Sequence, residues 1–435
     1  MHREVNAEKK ERTADALALF CQVSDGSAAT LKKAEAFAAA LPPLPEDPFE
    51  AGMAVKKYLI DSGFAYNSRG LLLQDILKRK RGNCLGLSAF IGALLEARGI
   101  KPEAYEVIEN PRDAVYQLDE KRFREFEHGE HFSYDHPALP DEMTTFHDYR
   151  YIPLEHPTPI LSGKRLETTH LDKDAIEKPE NWTKMQAERI VRIGYRQLCG
   201  AVLVDRARLL FDHTDRPYAE VKRILFRGLR LWPGNREGWA TAKIMAEANF
   251  DDRLREAAVQ KYKKIGGTDA RYRFTMYEWF GHEEDLDEAL RLFPAYMEAY
   301  VAKNVDHAAS EREARFDFSV AAFCYANSGD LDLRNLYIQY GTHMASWIGK
   351  AEYVRLAKRL GLAKHNPWRF AVTMAQVGDP AILAQTIKRN GWPQKPREQL
   401  LMALAGRGTD PVFDEKLMEL EGKYGQSRGF RQLTG

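Results

Sequence analysis

A cysteine acts as a nucleophile when its surroundings favour the thiolate and a base stands ready to take its proton. Cys84, in the stretch RGNCLGLSAFIGALLEARG over residues 81–99, reads that way. A Gly-Asn pair closes the preceding segment, and Leu87, Ile91, Leu94 and Leu95 then recur at helical spacing, which predicts Cys84 at a helix N-terminus. The unpaired amides and the positive dipole end of such a helix favour a thiolate, and Arg79, Lys80 and Arg81 add positive charge. The plainer alternative is a small side chain buried at a tight helix start.

A thiolate mechanism needs a base whose second nitrogen is held by an acceptor, which directs attention to histidine paired with a carboxylate. Six of the twelve histidines fall between residues 128 and 170. His156 opens the first of two predicted strands, YIPLEHPTPIL, and Asp172 closes the second, RLETTHLD. A Ser162-Gly163-Lys164 turn joins them, so an antiparallel pairing brings His156 and Asp172 side by side. Pro153, Pro157 and Pro159 demote the first strand to an edge or irregular one. The developing oxyanion would meet the Cys84 amide and a second donor. Gln74 is the candidate for that donor and Asn83 the other possibility, although both residue types commonly cap turns and helices. His128, His131, Asp135 and His136, in HGEHFSYDHP, form a set that zinc or another transition metal accepts, but they lack the helical HExxH spacing. A solvated loop explains them equally, and neither metal nor cofactor is expected.

Taken together, FAYN, a turn, KRGNCLGLSAFIGALLEARGIKP, a strand, a histidine at the start of a hairpin and LD at its end resemble the transglutaminase-like cysteine enzymes of the papain-like superfamily. The resemblance covers roughly residues 50–175. It implies Cys84 as nucleophile, His156 as general base and acid, and Asp172 as the carboxylate that orients the imidazole. The activity it implies is hydrolysis or transfer of an acyl group from a peptide bond or glutamine side chain, through a thioester. The alternative is a catalytically inactive member of the family that serves as a scaffold.

The elements that must position these residues are mostly helical. Residues 1–48 read as a helical preface, with one helix around Cys21 and a second in ATLKKAEAFAAAL. Residues 49–178 then hold the Cys84 helix, the strand EAYEVIE and the hairpin, an α+β papain/transglutaminase-like domain. From residue 179 to 435 helix follows helix, and all seven tryptophans lie there. PYAEVKRILFRGLRLWPGN and DLDEALRLFPAYMEAY look like degenerate tetratricopeptide units, and FDFSVAAFCYANSGDLDLRNLYIQYG like a further relative. An all-α helical-repeat array is therefore expected, with a concave face that chooses a protein partner.

Composition narrows the remaining classes. A formal net charge of +1 over 435 residues supplies no field for nucleic acid or an anionic membrane. The charged N-terminus is unlike a signal peptide, and the sequence contains no apolar run of membrane-spanning length. Cys21, Cys84, Cys199 and Cys324 are scattered without a CxxC, which speaks against a zinc site or a disulfide framework and fits a reducing, cytoplasmic location.

Overall fold

The structure is a computed structural model, and it describes residues 16–66, 70–101, 103–107, 158–161, 164–165, 190–213, 216–292, 299, 302–303, 345 and 349–435. Helices dominate from the first of these residues. Helix α1 (16–23) leads to α2 (Ala28–Ala39), which Ser27 caps by accepting from the Thr30 amide. In α3 (Pro48–Asp61) the Asp47 carboxylate accepts from the Glu50 amide, and Pro48 sits where a missing N–H costs nothing. A short strand β1 (Ala65–Tyr66), helix α4 (Leu73–Arg79) and strand β2 (Arg81–Gly82) then deliver the chain to α5 (Cys84–Ala97). β1 and β2 pair in parallel.

Helix α5 forms where the apolar spacing predicts it, but its burial is not one-sided. Leu85, Leu87, Ala89, Phe90, Ile91 and Ala93 are all buried, so α5 is wrapped by its neighbours rather than laid on them. Phe90 joins Phe37 of α2 and Phe64 in a ring cluster with centroids 5.5 to 6.2 Å apart, which ties α2, the end of α3 and α5 into one core.

After α5 comes β3 (Glu103–Val107), the centre of a small antiparallel sheet with β4 (Thr158–Leu161), β5 (Lys164–Arg165) and β6 (Ile190–Ile193) in the order β5-β4-β3-β6. The predicted strand after α5 and the hairpin β4–β5 are both present. The expected edge position of the first hairpin strand is not, because β4 lies between β5 and β3. Pairing with β5 begins only at Ile160, so Pro159 needs no ladder donor on that side. The strand β6, on the other side of β3, falls in the stretch from residue 179 expected to be all-helical, and its pairing with β3 corrects that boundary.

The expected α+β papain-like class is overturned by the balance of these elements. The chain is predominantly α-helical, and among the described residues strand is confined to runs of two to five residues. Helices α3 and α6 share in covering α5, so the sheet does not form the dominant layer that an α+β domain requires.

Two compact units contain the helices. The first takes in described residues up to 107, then 158–242 and 261–265. In it α6 (Tyr195–His213) and α7 (Tyr218–Leu231) pack closely where Gly200 meets Gly228. Helix α8 (Arg236–Ala248) starts at Asn235, whose side chain accepts from the Gly238 amide at 2.8 Å. The second unit takes in described residues 243–260 and those from 266 onward. It contains most of α9 (Asp252–Ile265), then α10 (Ala270–Phe280) against α11 (Glu283–Leu292). Beyond these lie α12 (Lys350–Leu360), α13 (Leu362–His365), α14 (Pro367–Gln376), α15 (Ala381–Asn390), α16 (Pro396–Gly406), α17 (Pro411–Tyr424) and α18 (Arg428–Thr434). Ala371, Leu383, Met402 and Phe413 form one buried cluster across α14 to α17, and Phe250, Leu400, Leu420 and Phe430 form another. The expected run of helix after helix is thus present among the described residues. The window FDFSVAAFCYANSGDLDLRNLYIQYG lies outside the described residues.

Candidate functional site

The geometry around Cys84 begins one turn upstream. Lys80 ends α4 in the left-handed region at φ +52°, and its carbonyl accepts from the Ala65 amide at 2.9 Å. Asn83 then takes the N-cap of α5 in extended conformation. Its own amide donates to the Gly70 carbonyl at 2.6 Å, and its carbonyl accepts from the Leu87 amide at 2.8 Å. The side-chain Oδ1 accepts from the Gly86 amide at 2.7 Å. Gly86 must be glycine for this arrangement, since a Cβ there would stand 2.8 Å from the Leu71 carbonyl oxygen.

Cys84 is accordingly the first residue of α5, as the sequence predicts. The Cys84 side chain, His156 and Asp172 lie outside the described residues. His156 precedes β4 in sequence by two positions, and β4 begins opposite Tyr105, the central residue of β3. His128, His131, Asp135 and His136 also lie outside. Among the described residues no group of three or more His, Cys, Asp or Glu is placed to hold a metal ion.

Gln74 is described. Its Nε2 donates to the Ser24 carbonyl at 2.7 Å, while the Ser24 hydroxyl accepts from the Leu73 amide at 3.0 Å. One of its two amide hydrogens is therefore spent on fastening α4 to residue 24, and its buried Oε1 has no hydrogen-bond partner among the described residues. Of the basic run, Lys80 reaches back to the Ser62 carbonyl at 2.8 Å and Arg79 stands 3.9 Å from Asp75.

Sequence reasoning missed Asp205. It lies on α6, and its Oδ2 accepts from Asn83 Nδ2 at 3.3 Å across a separation of 122 positions. Burial pushes the Asp205 carboxyl above the usual carboxylate range, against the opposing pull of Arg208 and the Asn83 hydrogen bond. No local motif marks it, because its partner is set by the packing of α6 on α5. Near the other end of α6, Tyr195 donates its hydroxyl to the Ala89 carbonyl at 2.8 Å. Cys199 is fully buried, and burial pushes its thiol up to about 12. Burial also raises Cys21, whose thiol approaches the Ser27 carbonyl at 3.6 Å. Both are structural thiols.

Comparison of the chain with protein-family models, with curated proteins and with solved structures found no match.

Proposed function

We propose that the chain is a cysteine-nucleophile amide hydrolase or acyl transferase acting on a protein or peptide. The observation that carries this reading is Cys84 at the first position of a side-chain-capped helix in the core, with an antiparallel hairpin following it in the chain. Cys84 Sγ gives its proton to His156, attacks the amide carbonyl carbon, and forms a C–S bond as the π pair moves onto oxygen. Collapse of that intermediate breaks the C–N bond, and the imidazolium returns the proton to the departing amine. Water or an amine, deprotonated by the same imidazole, then breaks the thioester and regenerates the thiol. Asp172 orients the ring. The helices beyond α6 present a surface that selects the protein partner.

The test uses the purified full chain and an amide-bearing, thiol-directed electrophile. Labelling confined to Cys84 at neutral pH and abolished in Cys84→Ala supports the reading. Equally slow labelling of Cys84, Cys21 and Cys199 overturns it and leaves the scaffold reading in its place.

A further inference from the structure

Four polar groups of Asn83 are engaged in hydrogen bonds, and three of them meet backbone within 13 positions of it. The fourth, the side-chain Nδ2, is held by Asp205. A side-chain amide has two faces that differ by a half-turn, and a cap works only when its oxygen points at the helix. An acceptor fixed on the nitrogen side selects that orientation. The carboxylate doing so sits partly buried on α6, at 3.3 Å from the Asn83 nitrogen.

Resting on the reading of Cys84 as nucleophile, we propose that Asp205 is a positioning residue of that site. Through Asn83 it locks the first turn of α5. With Gly86 capped and Leu87 bonded to the Asn83 carbonyl, the amides of Cys84 and Leu85 have no acceptor within the helix. Those two amides then stabilise the thiolate and, during acyl transfer, the oxyanion. Asp205 touches neither substrate nor sulfur in this scheme; it acts through the cap.

The experiment measures the pH profile of Cys84 alkylation by iodoacetamide on the full chain, read by mass spectrometry on the tryptic peptide 82–98. Asp205→Leu and Asp205→Asn both remove the charge, but only leucine removes the acceptor. The leucine variant should move the labelling midpoint to higher pH and slow neutral-pH labelling about 5-fold, as expected for a weakened helix terminus. Asp205→Asn should restore most of the lost rate. A purely structural role would lower the melting temperature of the leucine variant without moving the midpoint. Identical profiles for folded wild type, Asp205→Leu and Asp205→Asn overturn the proposal. Asp205→Ala, which removes the acceptor by truncation, is read in the same way if the leucine variant does not fold. A wild-type Cys84 no faster than Cys21 or Cys199 would instead defeat the nucleophile reading itself, so the two failures are separable.

Discussion

Two aspartates respond to pH in opposite directions. Asp25, at φ +52°, holds Arg206 at 2.6 Å and Arg227 at 2.8 Å, which ties the end of α1 to α6 and α7. Burial pulls its carboxyl up, but the hydrogen bonds and charges of Arg227 and Arg206 prevail and hold it below the usual range. Its contribution is therefore present above the unfolded carboxylate value of about 3.9 and is lost as pH falls through the lower folded value. Asp25→Ala should destabilise the neutral-pH protein by about 1 kcal/mol, a modest figure because the carboxylate is half exposed, and by less near pH 3. Asp205 is raised instead, so its charge costs stability at neutral pH and the cost fades as acid protonates it. Urea unfolding of Asp205→Asn should show a gain of roughly 1 kcal/mol near pH 7 that shrinks toward pH 4. The thiols obey the same logic: Cys199, at about 12, should react with iodoacetamide only after unfolding.

At the scale of elements, the close approaches are the vulnerable points. A Cβ on Gly228 would lie 2.8 Å from the Gly200 carbonyl oxygen, so Gly228→Ala must push α6 and α7 apart. The expected loss is about 1–3 kcal/mol by thermal unfolding. Gly86→Ala should cost a similar amount, roughly 1–3 kcal/mol, and should also slow Cys84 labelling, since it displaces the first turn of α5. These elements differ in how far they could be read from sequence. The helix at Cys84 was legible because a cap residue, a glycine and periodic leucines lie within a dozen positions. The hairpin was legible from its glycine turn. Strand β6 was not, because IVRI carries only four residues and owes its place to the register Ala104↔Ile193 on β3. Asp205 was hidden for the same reason: no local pattern tells which residue of a later helix will meet an earlier cap.

At the scale of the molecule, the helical character expected from residue 179 is met among the described residues from Tyr195 onward and followed from periodicity, whereas the class of the Cys84 region did not. Apolar spacing put Leu87, Ile91, Leu94 and Leu95 on one face of this helix. The observed α5 is buried on several sides, and part of that cover is α6, which begins about a hundred positions later. A fragment ending at residue 178 lacks α6 and α7, and with them Asp205, Tyr195 and both arginines that hold Asp25. It should show no cooperative thermal transition by circular dichroism, whereas a fragment ending at residue 265 should retain one.

The latch of Asp25 on Arg206 and Arg227 also bears on how the protein is made. A ribosome releases α1 long before it has synthesised the arginines that fasten its end. For that interval the nascent chain carries the face of α5 that α6 later covers, a sticky surface of the kind that chaperones hold. The first unit thus closes late, only once the chain has run past residue 227.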